Sequence, residues 1–225
     1  MTKRTFIYCL CTLSLILVCS SCFEVVEEVN LNNDGSGSFC FTINLSQSKL
    51  DINAMLLLDS VSGRPVPKVD DMKKMFAQIE ASLRNDTSLS GVKTSQNWND
   101  YIFSVSGNFK NVAALNRAIS STYTLLNKTA GSKAVMKDNY SYGEKVFKRL
   151  YDFDLGKDYK MLSDKDKMVF KTARYTSIYR FKTPVIRYSN ASAIKSKSGM
   201  SVMLKANIGD IITNNKSIAN SIVLE

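Results

Sequence analysis

Histidine is missing from all 225 residues of the chain, and proline occurs three times and tryptophan once. Without imidazole, zinc, copper and haem lose their usual nitrogen ligand, and a conventional nucleophilic triad loses its base. No G-x-S-x-G, phosphate-binding loop or metal-ligand spacing is present in the sequence. These gaps point away from an enzyme and away from any cofactor. Cysteine is nearly as scarce where it would matter: of five, four lie within the first 22 residues, and Cys40 alone remains beyond them. A lone cysteine forms no internal disulfide, so the body must be held by an apolar core. Cys40 sits in a strand pattern and, without histidine to activate it, is read as structural.

The first 22 residues are what the chain does have. Lys3 and Arg4 precede an apolar stretch from Phe6 to Val18, and Cys19-Ser20-Ser21-Cys22 closes it with small residues. This is the charged start, apolar middle and small-residue exit of an export signal. Its end at a cysteine resembles the lipobox of bacterial lipoproteins, which implies removal of residues 1–21 and acylation of Cys22, with palmitate-type chains, as the first mature residue. Two other readings stay open. One is an uncleaved transmembrane anchor, although Phe6–Cys19 is shorter than the roughly 20 residues a span needs; the other is an ordinary secretory signal cut near Ser20 or Ser21. Phe23, not aspartate, follows the lipid cysteine, which favours the outer over the inner membrane of the cell envelope.

Residues 22–225 are expected to form one α+β domain, with 127–142 either a loop or the boundary between two lobes. The net charge of +10 is unevenly spread: residues 22–132 carry 10 basic and 11 acidic side chains, and 133–205 carry 17 and 7. The basic residues are scattered along strand patterns and not along one helix stripe, so nucleic acid is not an expected partner. An anionic glycan or lipid headgroup suits such a face better, and a solvated basic surface without a ligand is the plainer alternative.

Alternation places a strand over 23–31, with Phe23, Val25, Val29 and Leu31 on one face, and a second with Phe39, Phe41, Ile43 and Leu45 inward. Asn32-Asn33-Asp34-Gly35-Ser36-Gly37 between them predicts a hairpin turn. The same loop has Asn30, Asn32, Asp34 and Gly35 at EF-hand spacing, but Phe41 stands where the bidentate glutamate must be, which argues against calcium. Ser46 is expected to cap a helix to about Leu58, Val69–Leu83 has the spacing of an amphipathic helix lying on a sheet, and Asn111 is expected to cap a third. Strands are expected over Leu89–Thr94, Tyr101–Phe109, Val146–Phe153, Tyr175–Phe181, Val185–Tyr188, Val202–Ile208 and Ile222–Leu224, with a short helix after Ser163 and a polar connection over Asp154–Leu162. Irregular interleaving favours a mainly antiparallel, curved sheet with two to four packed helices over a βαβ fold.

The Asn33–Gly37 turn, the junction Phe109-Lys110-Asn111-Val112-Ala113-Ala114-Leu115-Asn116, and Phe181-Lys182-Thr183-Pro184-Val185 followed by Ser189-Asn190-Ala191 resemble uncharacterised lipoproteins of Bacteroidota-type bacteria. They are also faintly similar to the mycobacterial LppM type of lipoprotein domain. The resemblance implies a compact envelope domain with no catalytic residues to carry over. Asp59-Ser60-Val61 matches the short pattern that such exported proteins use for O-glycosylation, which would fall on Ser60.

Acidic groups that might support catalysis have plainer roles. Asp70 and Asp71 suit the first turn of a helix, and Asp152, Asp154 and Asp158 flank a glycine-containing loop. The function expected from these features is a lipid-anchored interaction or scaffold module, meeting an envelope protein or glycan at the membrane surface. The alternative is a binding module whose apolar groove takes an acyl chain while Lys145, Lys148, Arg174 and Arg180 receive an anionic headgroup.

Overall fold

A computed structural model describes residues 23–61, 64–128, 137–152 and 156–225. Cys22, the expected export segment before it, Asp154 and residues 129–136, half of the 127–142 stretch, lie outside the described residues. The first strand, β1 (Glu24–Leu31), turns back into β2 (Gly37–Asn44), with Leu31 opposite Gly37 and Glu24 opposite Asn44. The turn is tied by its own polar groups: Asp34 Oδ1 accepts the Ser36 amide at 2.9 Å and the Ser36 hydroxyl at 2.7 Å. Gly35 takes a φ of 82°, which only glycine adopts without steric cost. The expected hairpin is present.

Beyond β2 the expected helix is shorter and differently capped. The Asn44 side chain accepts the Ser46 amide at 3.0 Å, a 3-10 turn spans Ser46–Ser48, and α1 covers only Lys49–Met55. Asn44 thus forms a local side-chain turn ahead of Ser46, and the helix begins only after the 3-10 turn, with no side-chain cap at its own N-cap. A two-residue ribbon pairs β3 (Ser60–Val61) with β4 (Arg64–Pro65), and then come α2 (Val69–Arg84), β5 (Leu89–Asn97), β6 (Ile102–Phe109) and α3 (Val112–Lys128). Asn111 does cap α3, accepting the Ala114 amide at 2.9 Å.

The stretch read as loop contains a strand. Tyr140–Gly143 (β7) pairs with Val146–Arg149 (β8) across Glu144 and Lys145, both at positive φ (50° and 60°), the twist a two-residue hairpin needs. A short helix, α4 (Gly156–Lys160), occupies the expected polar connection, and α5 (Asp164–Thr172) follows Ser163. The remainder is β9 (Arg174–Phe181), β10 (Val185–Tyr188), β11 (Ala193–Lys195), β12 (Ser201–Asn207), α6 (Ile208–Ile212) and β13 (Asn220–Leu224).

These strands build an α+β architecture of two larger sheets. One has seven strands in the order β11-β12-β9-β1-β2-β6-β5, and the other four in the order β10-β13-β8-β7. Pairing is antiparallel throughout except between β1 and β9, which run parallel from Glu24 opposite Arg174 to Leu31 opposite Phe181. Register puts Val25, Glu27, Val29 and Leu31 on one face with Phe39, Phe41, Tyr175, Tyr179 and Phe181, while Ser38, Cys40, Thr42, Ser104 and Ser106 face out. The inward face therefore carries the core, as in an antiparallel sheet solvated on one side. Helices α2 and α3 cover the β2-β6-β5 half, and the four-stranded sheet covers the β1-β9-β12 half. Phe147 of β8 is fully buried between them, its ring 5.2 Å from Tyr179 and 5.7 Å from Phe181.

Gly37 is where the hairpin leaves no room for a side chain: a Cβ there would stand 2.1 Å from the Asn30 carbonyl oxygen and 2.6 Å from the Phe109 ring. Gly37→Ala should lower unfolding stability by about 2 kcal/mol or more through overpacking. Gly143→Ala, with nothing within 4 Å of its added Cβ, should change it by less than about 0.5 kcal/mol. Urea unfolding of the two variants checks this, and equal midpoints would contradict it.

Candidate functional site

Alternation on β1 carries a carboxylate into the core. Glu27 follows Val25 and precedes Val29 on the inward face, and Arg149 follows Phe147 inward on β8. The two meet side-on: Arg149 Nε lies 3.0 Å from Glu27 Oε1 and Nη2 lies 3.1 Å from Oε2, with side chains 8% and 9% exposed. The Tyr179 hydroxyl donates to Glu27 Oε1, and the guanidinium carbon of Arg149 lies 5.2 Å from the Tyr140 ring centre. Arg149 Nη1 also donates to Asn139 Oδ1 at 3.2 Å and to the Leu150 carbonyl. Asn116 of α3 completes the link, accepting the Asn139 and Tyr140 amides at 3.1 and 3.0 Å and donating to the Tyr140 carbonyl at 2.8 Å.

Electrostatics favour the ionised pair. Burial pushes the Glu27 carboxyl up, but the Arg149 charge and the hydrogen bonds outweigh it, leaving the group below its ordinary 4.5. Burial also draws the Arg149 guanidinium down, and Glu27 more than restores it. The tyrosines move the other way: burial, then the Glu27 charge, raises the phenols of Tyr140, Tyr175 and Tyr179, so all three stay neutral. The Tyr140 and Tyr175 hydroxyls, buried in the same region, make no hydrogen bond of regular geometry. This cluster joins β1, β8 and α3, and its burial closes it to a solution ligand.

A second feature is open to ligand. A cavity of about 220 Å³ lies between Phe39 and Phe41 of β2, Val105 of β6, Leu83 of α2 and the Ala118–Leu126 flank of α3. Its walls are almost wholly hydrocarbon. The Thr122 hydroxyl is occupied by the Ala118 carbonyl at 2.9 Å, and Leu126 is exposed at the margin. Beside it on the same sheet face, Phe76 stacks on Phe103 at 5.2 Å and Trp98 meets Phe103 edge-on at 4.8 Å.

The groove anticipated from the sequence thus has a counterpart, but α3 supplies more of its wall than α2. None of the four basic residues anticipated as its rim lines it. Lys145 stands in the β7–β8 turn and Lys148 on the outward side of the four-stranded sheet. Arg174 and Arg180 lie at opposite ends of β9 on the outward side of the seven-stranded sheet, Arg180 paired with Glu28 at 2.7 Å. Alternation and stacking keep these two pairs on opposite sides of the molecule. Ser60 is exposed on its short ribbon, Asp70 and Asp71 begin α2 as expected, and exposed Asp152 pairs with Lys137. Glu27, Arg149 and Ala118 were not singled out beforehand. The signal for Glu27 was there: a carboxylate in the apolar phase of a strand.

The fold and cavity define an α+β protein of two facing sheets with a helix-covered hydrocarbon pocket. No protein-family model matches the chain, and no curated protein matches it. Among solved structures it is similar to the folded domain of Mycobacterium tuberculosis LppM, at a TM-score of 0.45 and 12% identity over 91% of this chain and 91% of that one. These comparisons lend no support to the Bacteroidota-type resemblance.

Arg149→Met should cost about 3–5 kcal/mol by leaving Glu27 buried without its partner, and the double variant E27L/R149M should lose less than that. The pH response should invert. In the native chain the depressed Glu27 value gives stability that is present above 4.5 and lost as pH falls through the folded value. In R149M, burial alone raises the carboxyl, so stability should increase on acidification from about pH 7 to about pH 5. Thermal unfolding across that window decides it; a falling curve for R149M would contradict the reading.

Proposed function

We propose that the chain is a non-enzymatic lipoprotein of the cell envelope, anchored through acylated Cys22, that holds the apolar part of an amphiphilic ligand in the cavity beneath α3. The observation that carries this reading is the cavity itself, about 220 Å³ with walls of Phe39, Phe41, Val105, Ile119 and Leu126. It exceeds the roughly 150 Å³ apolar cavity that takes up benzene, and falls short of the roughly 300 Å³ at which drug-sized pockets begin. Such a volume suits one segment of an alkyl chain, with the remainder and any headgroup outside. The pocket offers no built receptor for a headgroup, so selectivity rests on the alkyl part. This favours the ligand-binding alternative over a pure scaffold, whose partner would need only a surface.

The anchor reading is supported by the small-residue exit at Cys22 in the sequence. Phe23 after the lipid cysteine favours the outer membrane, and exposed Ser60 keeps the glycosylation reading available to mass spectrometry.

Native mass spectrometry of the full chain solubilised from its own membrane should find an added amphiphile that is lost in Ala118→Phe, where the new ring fills the cavity. An adduct unchanged by Ala118→Phe, or no adduct in the native chain, overturns the pocket reading. Separately, Cys22→Ala should abolish palmitate incorporation and shift the chain toward the soluble fraction; palmitate labelling that survives the substitution overturns the anchor.

A further inference from the structure

The exposed apolar side chains are not scattered at random over the fold. β1 starts at Glu24, immediately after Phe23, and the strand ends beside it are Asn44 of β2 and Arg174 of β9. From the first of these the chain enters α1; into the second it arrives from α4 and α5. The Leu45 amide donates to the Tyr101 carbonyl at 2.9 Å and the Arg174 amide to the Phe23 carbonyl at 2.9 Å, which pins both segments to this end. The Phe23 ring packs edge-on against Phe170 of α5 at 6.1 Å, and Tyr159 of α4 meets the Phe170 ring at 5.9 Å. α1 and the α4–α5 pair therefore flank the point where the chain emerges.

These segments carry the most exposed of the large apolar side chains, although Ile186 of β10 and Ile194 of β11 are exposed elsewhere. Leu50 is 84% exposed, Leu57 87%, Met161 79% and Met168 64%, and α1 contains no buried residue. A helix that buries nothing of its own gains nothing from the core for carrying leucine, so a second surface is needed to account for it. Lys160, Lys171 and Arg174 are exposed at the same end, the charge that anionic headgroups attract.

We infer that this end of the molecule is a membrane-docking face, on which Leu50 of α1, Leu57 just beyond it, Met161 between α4 and α5, and Met168 of α5 insert among the acyl chains of the bilayer. The inference rests on the lipid-anchor reading, because acylated Cys22 leaves no tether between the bilayer and Phe23. A strand that begins two residues from its lipid carries this end, and no other, against the membrane. The apolar side chains there add a second attachment to the acyl chains, the combination that turns marginal into stable membrane residence. The body is then held upright, with β1 running away from the bilayer and the opposite end, including Ser198 in the β11–β12 turn, farthest from it.

Spin labels test this on the full chain in its own membrane. In a Cys40→Ser background, single labels at Leu57→Cys, Met161→Cys and Ser198→Cys are compared for collision with oxygen, which concentrates in hydrocarbon, and with a water-soluble nickel chelate. The oxygen-to-nickel ratio should be several-fold higher at 57 and 161 than at 198. Equal, water-like ratios at all three sites, in chains shown by palmitate labelling to be acylated, overturn the docking face and leave the anchor standing. High ratios at 57 and 161 in chains that incorporate no palmitate remove the anchor and keep the face. Dipolar broadening between labels at position 57 of two chains, with water-like collision ratios, assigns the patch to a second copy and overturns the proposal.

Discussion

The fold turns on one buried ion pair. Glu27 and Arg149 join the central strand of the seven-stranded sheet to the four-stranded sheet, and through Asn139 and Asn116 the same network reaches α3. A charge placed between two sheets is costly unless its partner and its hydrogen bonds arrive together, so the pair is compatible with one mutual arrangement of the layers. Hydrophobic contacts around it, such as Phe147 on Tyr179 and Phe181, would tolerate some sliding of one sheet over the other. The side-on geometry of guanidinium and carboxylate does not. The choice of sheet packing is thereby transmitted to α3, and so to the wall of the cavity that α3 forms.

The cavity is a consequence of that placement. α3 approaches the sheet closely through Ala114 and Ala118, both buried, and the space left over Ala118 is bounded by the large rings of Phe39 and Phe41 on the strands beneath. Close packing elsewhere makes the gap conspicuous: Leu115 and Ala114 on the same helix have no exposed surface. The cavity and the docking face are distinct. One is a pocket in the interior of the helix-covered half, and the other is a rim of leucine and methionine at the strand ends where the chain emerges. Under the two proposals, the protein is fixed at one end to hydrocarbon and encloses hydrocarbon within its body.

Legibility followed the range of the interaction. The β1–β2 hairpin, the Asn111 cap and the α2 stripe are local, set by neighbours within a few residues, and each is where periodicity and turn chemistry put it. The misread segments were those where a short-range signal was weak or ambiguous. Tyr140–Gly143 closes a polar stretch broken by Gly131 and reads as loop or lobe boundary, yet the Glu144-Lys145 turn returns it onto Val146–Arg149 as a strand. Ser46 has the right side chain for a cap, but it falls inside a 3-10 turn that follows the Asn44 turn, three residues before the helix starts. Of the candidate site, the apolar groove was anticipated from the sheet and α2, whereas Ala118 was not, because a small residue on a helix stripe has no visible role until its partners across the gap are known.

From the sequence alone come the expectation of an export segment ending in Cys22, the position of Cys40 as the one cysteine beyond it, the lack of histidine, the basic second half and the α+β class, all of which depend on residue type and on spacing along the chain. Which residues meet across long stretches belongs to the tertiary structure: Glu27 with Arg149 at a separation of 122 residues, β1 beside β9 at about 150, and the spread of the basic residues over opposite faces. The physical reason is that alternation specifies which side of a strand a residue occupies but not which strand lies next to it. Register and layer packing supply that second coordinate, and they are what make a carboxylate in the core stable and an exposed leucine at the chain's exit informative.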